Sequence, residues 1–146
     1  MRLVIQRAER ASVRIDGDEV AAIGPGLVIL VGVFREDSPA SADALAGRAA
    51  ALRCFADTDG RMNLSCAQAA GEFLVVSQFT LCADLSRGRR PGFEPAMAPG
   101  PARDLYERFV ATLARESGRP VRTGRFGADM KVDLVNDGPV TFVMEG

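Results

Sequence analysis

No histidine occurs among the 146 residues. That absence removes the Ser-His-Asp triad, Cys-His pairs, histidine general bases and histidine metal sites together. Lysine is almost missing as well: Lys131 is the lone lysine among 18 basic side chains, and the rest are arginine. Cysteine is sparse. Cys54, Cys66 and Cys82 are odd in number and widely spaced, which fits neither a disulfide framework nor a zinc motif. They are expected to be reduced, mostly buried thiols. No apolar run reaches the length of a membrane span. Met1-Arg2-Leu3-Val4-Ile5 enters an alternating pattern directly and lacks the apolar stretch and cleavage site of a signal peptide. The expected location is the cytoplasm. The net charge of −1 gives no global basic field. Chemistry in this chain must use hydroxyls, carboxylates, backbone amides, arginines or the substrate itself, with no cofactor or metal expected.

What is present supports one folded domain. Hydrophobic residues make up 47% of the chain, enough for a real core. Leu3 and Ile5, then Val13 and Ile15, alternate with polar residues as half-buried strands do. Gly17-Asp18 between Ser12–Asp16 and Glu19–Ile23 reads as a glycine-first hairpin turn. Leu27–Val33 is an uninterrupted, branched apolar run, the pattern of a central buried strand. Alanine-rich Ser41–Leu52 reads as a helix capped by Ser38 or Ser41. Arg53–Ala56 is expected to be a short strand, followed by an Asp57–Gly60 turn, and Glu72–Phe79 another strand. Leu85–Pro101 is a long loop rich in proline and glycine, of the kind that often carries function. In Ala102–Glu116 the apolar residues recur every three or four positions, the clearest helix. Val121–Gly124, Met130–Val135 and Val140–Glu145 close the chain as strands. The expected fold is α+β: one compact domain over 1–146, a mixed or antiparallel, barrel-like sheet, and two main helices.

Two segments could carry chemistry. Ser77-Gln78-Phe79-Thr80-Leu81 lies where a hydrophobic strand runs out into a loop. Ser77 and Thr80 offer hydroxyls, Gln78 an amide, and the backbone amides of Phe79 and Thr80 could hold an oxyanion. The plainer reading is a strand terminus whose hydroxyls satisfy turn hydrogen bonds. Asn136-Asp137-Gly138-Pro139-Val140-Thr141, read locally, is a hairpin turn between two strands. A glycine before proline permits unusual backbone angles. Arginines cluster at Arg87, Arg89 and Arg90, and at Arg115, Arg119, Arg122 and Arg125.

Taken together, these segments resemble the D-aminoacyl-tRNA deacylase family. The likeness runs through Val4–Ala8, Asp59–Ser65, Ser77–Leu81, Arg89–Phe93, Gly124–Met130 and Asn136–Phe142, six motifs in the family's order. Cys82 departs from the family's aromatic and Gly92 from its serine, both beside the presumed site.

The resemblance implies hydrolysis of the ester joining a D-amino acid, or glycine, to the terminal adenosine of tRNA. It also implies a homodimer in which Gly138-Pro139 of one subunit, with a cis bond, enters the partner's site. There the pair would bond the substrate's amino group and leave no room for an L side chain. Arg7 would brace the motif, with Met130 and Thr141 beside the substrate. Thr80 could then be a nucleophile, though no base is offered to it. Alternatively, the ribose 2′-hydroxyl activates water and the amides of Phe79 and Thr80 stabilise the oxyanion. The second is favoured, because a lone threonine hydroxyl has a high pKa. The arginine clusters are candidates for acceptor-stem phosphates. Rival readings are a relative with a trans Gly-Pro bond that releases L-alanine, and a non-catalytic RNA-binding module.

Overall fold

The computed structural model describes residues 1–86 and 88–146. The chain begins with a 14-residue strand, β1 (Arg2–Ile15), and turns into β2 (Asp18–Ile23). The turn sits at Asp16-Gly17, one residue earlier than the sequence suggests, with φ of 53° and 93°. Both central residues are left-handed, the primed geometry that matches strand twist, so an aspartate rather than a glycine comes first. β3 (Gly26–Gly32) follows, then α1 (Pro39–Ala50), the small hairpin β4 (Arg53–Ala56) and β5 (Met62–Ser65), and β6 (Glu72–Ser77). A single 3-10 turn, Phe79–Cys82, replaces the last residues of the expected strand. α2 (Pro99–Ser117), β7 (Val121–Thr123) and β8 (Lys131–Glu145) complete the chain.

Six strands form one mixed sheet in the order β2-β1-β3-β6-β7, with β8 on the other edge of β1. β1 pairs antiparallel with β2, β3 and β8, whereas β3-β6 and β6-β7 are parallel. The sheet curls nearly into a barrel, so both of its faces are buried. Leu27, Ile29, Phe73 and Val75 point toward α1 and α2. Val28, Leu74 and Val76 point the other way, into a second core with Val13, Ile15 and Ile23. Two-sided burial is why Leu27–Val33 shows no alternation.

The helices cover the outer face. Ser38 caps α1, and its hydroxyl and that of Ser41 each accept from the other's backbone N–H. Ala42, Ala46 and Ala49 are fully buried on the side of α1 facing α2. Asp43 ties the pair together, taking both guanidinium bonds of Arg108 and the hydroxyl of Thr112. Gly118, left-handed at φ 61°, ends α2. No helix among the described residues is long and apolar enough to cross a membrane.

The largest correction concerns the end of the chain. Met130–Val135 and Val140–Glu145 are not two strands around a hairpin. They are halves of one strand, β8, lying along β1 from Arg14↔Lys131 to Arg2↔Glu145. Between the pairs Ala8↔Asn136 and Gln6↔Thr141, β1 supplies only Arg7 whereas β8 supplies Asp137–Val140. The extra residues leave the ladder as a wide bulge. Gly-Pro there marks an excursion rather than a reversal, because a 14-residue partner strand continues on both sides of it.

Candidate functional site

β6 carries the first half of the site. Its buried run Phe73–Val76 delivers Ser77 to the sheet's end, where the Gln78 N–H donates to Val31 O at 2.8 Å. The chain then tightens into the 3-10 turn, and Leu81 N–H reaches back to Gln78 O. This shelf can lie against β3 because Gly32 has no side chain. A Cβ there would stand 2.8 Å from Leu81 Cβ and 3.3 Å from Gln78 O.

The first N–H groups of a helical turn have no partner inside it. Those of Phe79 and Thr80 find no acceptor among the described residues. Both residues are exposed, and the Phe79 ring packs on Phe93 with centroids 5.0 Å apart. Gln78 Nε2 donates to Thr80 Oγ1 at 2.5 Å. An amide nitrogen cannot take a proton, so Thr80 has a hydrogen-bond partner but no base.

A cavity of about 670 Å³ opens beside this shelf. Ser77, Gln78, Phe79 and Met130 line it, and Thr80 does not. Its walls are mainly apolar, including Val76, Phe93, Tyr106 and Phe126, as small-molecule sites usually are. Asp129 is the sole formally charged side chain in the lining among the described residues, and Lys131 Nζ lies 3.3 Å from it. Tyr106 forms part of the cavity wall. Its hydroxyl donates to Val75 O at 2.9 Å, and burial pushes the phenol well above its usual range. Phe93, Tyr106, Phe126 and Asp129 were not among the expected site residues. Phe93, Phe126 and Asp129 do lie inside family-like motifs, but Tyr106 looked like one more apolar position on α2.

The second half stands apart. Gly138, Pro139 and Thr141 are exposed and line no part of this cavity in their own chain. The Gly138-Pro139 bond is cis, and Gly138 has φ 126°. A Cβ on Gly138 would stand 2.6 Å from Val140 Cγ2 and 3.1 Å from Arg7 Nη2. Asn136 clamps the base of the bulge, accepting from Val140 N at 2.9 Å and donating to Val140 O at 3.2 Å. Its amide replaces the ladder bonds that the bulge forfeits. Thr141 Oγ1 accepts from Gln6 Nε2 and Asn136 Nδ2.

Arg7 fills the space opposite the bulge. Its Nε lies 2.9 Å from Asp137 Oδ2, an ion pair whose N–H is not aligned for a hydrogen bond. Nη1 donates to Cys54 O at 2.6 Å, and the guanidinium stands 5.9 Å from the Phe55 ring centroid. The three cysteines are free and buried. Burial raises each thiol, Cys66 to about 12, which leaves no activated thiolate. Of the arginine clusters, Arg115 holds Glu116 and Arg119 donates to Ala70 O and Gly71 O. Arg87 lies outside the described residues.

Comparison with known proteins bears on this arrangement. The family model described as D-Tyr-tRNA(Tyr) deacylase matches residues 4–145. A Dinoroseobacter shibae protein named D-aminoacyl-tRNA deacylase is 56% identical, covering 100% of this chain and 100% of that protein. A Chlorobaculum parvum protein of the same name is 52% identical over 99% of this chain and 97% of its own. A solved structure described as c-Myc DNA unwinding element binding protein matches with TM-score 0.94 and 36% identity, covering 100% of this chain and 99% of that one. A probable eukaryotic D-amino acid tRNA deacylase matches with TM-score 0.80, covering 99% and 98%; at 18% identity it shows the fold alone.

Proposed function

This chain belongs to the D-Tyr-tRNA(Tyr) deacylase family, and we propose that main-chain amides and the substrate's own ribose hydroxyl carry its reaction. It is an enzyme, a hydrolase of the aminoacyl-tRNA ester. The observation that carries the proposed chemistry is the unpartnered N–H pair of Phe79 and Thr80 beside a mainly apolar cavity whose one carboxylate among the described residues, Asp129, is paired with Lys131.

Aminoacyl esters are activated, so little side-chain chemistry is required. In the proposed step the ribose 2′-hydroxyl orients a water onto the ester carbonyl. The new C–O bond forms, the carbonyl oxygen becomes an oxyanion held by the two N–H groups, and the bond to the ribose 3′-oxygen breaks. The water's proton ends on that 3′-oxygen. Donors aimed where charge develops are worth roughly 10²–10³ in rate each. Thr80 remains a hydrogen-bonding partner of Gln78 rather than the nucleophile, and Ser77 and Gln78 position the substrate end. Met130 contributes to the wall.

Selection is assigned to a second copy of the chain. In the proposed homodimer, Gly138-Pro139 of one subunit reaches into the partner's cavity and bonds the substrate's amino group with main-chain carbonyls. An L side chain would collide with the rigid backbone; a D side chain or glycine would not. The exposed bulge, braced by Arg7 and framed by Thr141, supports this reading because it lines no part of the cavity beside Phe79 in its own chain. Glycine misplaced on alanine tRNA is then a second substrate.

One assay tests the whole reading. With D-Tyr-tRNA, Gly-tRNA and L-Ala-tRNA, the first two should lose their esters and the third should not. Loss from L-Ala-tRNA instead would assign the chain to L-alanine removal. Binding of all three without cleavage would make it an RNA-binding module.

A further inference from the structure

Arginine is abundant here, but most of it is already engaged. Arg2, Arg7, Arg14, Arg103, Arg108 and Arg115 hold carboxylates. Arg35, Arg48, Arg53 and Arg119 donate to main-chain carbonyls. Among the described residues, Arg61, Arg89, Arg90, Arg122 and Arg125 make neither kind of bond, and all five are exposed.

Four of those five lie within four residues, along the chain, of a residue that lines the cavity. Arg89 and Arg90 stand just before Phe93, and Arg122 and Arg125 just before Phe126; both phenylalanines line the cavity. Arg61 sits in the β4–β5 turn, which contributes nothing to the lining. The opposing charges nearby are Asp84, Glu94 and Asp129. Asp84 accepts from Ser86 N, which with the Ser86 hydroxyl holds its carboxyl below the usual range. Asp129 faces Lys131.

A guanidinium without a carboxylate partner can take a phosphate without first breaking an ion pair, and its planar fork matches phosphate oxygens. On a chain of net charge −1, such groups on two segments that each supply a ring to the cavity wall offer a local anion surface rather than a general field. We propose that Arg89, Arg90, Arg122 and Arg125 grip phosphates of the tRNA acceptor end on the rim of the cavity. Arg115 and Arg119, although in the same sequence cluster, take no part. The proposal rests on the deacylase reading and names the surface on which that substrate lies.

The test compares two substrates that share an ester but differ in phosphate. D-Tyr-tRNA and the 3′-O-D-tyrosyl ester of adenosine are hydrolysed by the wild type, by Arg89→Ala/Arg90→Ala, by Arg122→Ala/Arg125→Ala, by the combined variant and by Arg115→Ala. Each double variant should raise KM for D-Tyr-tRNA about tenfold at moderate salt and leave kcat near wild type. The slope of log(kcat/KM) against log salt should shrink by roughly 0.7–0.9 for each phosphate no longer gripped. Hydrolysis of the adenosine ester should stay within about twofold, and Arg115→Ala should match wild type on both substrates. A wild-type KM and salt slope in the combined variant would overturn the proposal. So would an equal loss on the adenosine ester, since the arginines would then serve the cavity and not phosphates. Failure of the wild type on both esters would instead sink the deacylase reading.

Discussion

The Ser77–Cys82 shelf and the Asp137–Val140 bulge face opposite problems. The shelf closes a buried parallel strand and opens on a cavity of its own chain, with two N–H groups unspent. The bulge leaves the middle of an edge strand, is exposed at Asp137–Pro139, and lines no part of that cavity. One region has a space to act on but little to discriminate with. The other is held through Asn136 and Arg7 and stands apart from that space in its own chain. In the proposed homodimer this division of reaction from selection would make assembly a condition of specificity, each copy supplying what the other lacks.

The division is tested hardest at the shelf. A tRNA ending in 2′-deoxyadenosine should be cleaved on the order of 10²–10⁴-fold more slowly, the range of positioned proton-transfer groups. Thr80→Ala should stay within about tenfold of wild type, because among the described residues its hydroxyl has no base and only Gln78 as partner. Single-turnover hydrolysis with the two tRNAs and the two proteins measures both. A folded Thr80→Ala protein that binds tRNA but cleaves nothing would make Thr80 the nucleophile.

The bulge gives a smaller effect of a different kind. Gly138→Ala places a Cβ 2.6 Å from Val140 Cγ2 at φ 126°, where an L residue is strained by roughly 1–3 kcal/mol. The base of the bulge is clamped, so the fold should survive while the tip shifts. The expected result is a loss of about ten- to a hundredfold in D/L discrimination, measured as the ratio of kcat/KM values for D-Tyr-tRNA and L-Tyr-tRNA. An equal drop on both substrates would place the bulge in the reaction and erase the division between the regions.

How much of this was readable from residues alone follows from where the signals are local. The run Leu27–Val33 and the three-and-four spacing of Leu105, Tyr106, Phe109 and Leu113 encode burial directly, and β3 and α2 match them. Gly138-Pro139 misled, because turn chemistry is a property of a few residues whereas strand continuity is set by β1 across the ladder. The hydropathy pattern runs as strand through Phe79, whereas β6 ends at Ser77. The shelf's 3-10 turn comes from packing on Gly32 and leaves the two N–H groups free, neither of which is visible in a hydropathy pattern. Tyr106 shows the same limit, since periodicity marks an apolar face without telling core from cavity wall. Likewise, the sorting of arginines depends on carboxylates and carbonyls distant in sequence, such as Gly71 for Arg119.

The smallest expected effect is a flat line. The described residues that line the cavity include no histidine, cysteine or lysine, and burial raises the Tyr106 phenol above its usual range. Between pH 6 and 8.5 the enzyme should therefore add no limb of its own to the kcat profile, and the substrate's α-amino group should supply whatever limb is seen. Stability behaves differently. The buried thiols of Cys54, Cys66 and Cys82 have raised values in the folded chain, so their contribution is present below the ordinary thiol range near 8.5 and is lost as pH rises. Urea midpoints should hold steady to about pH 8 and then fall, by up to about 1.4 kcal/mol per pH unit for each thiol still protonated only in the folded state. Cys66→Ser should flatten that alkaline decline and leave kcat unchanged. A limb in kcat that moved with Cys66→Ser would mean that a thiol beneath the sheet reaches the shelf, and that catalysis is not confined to its main-chain amides.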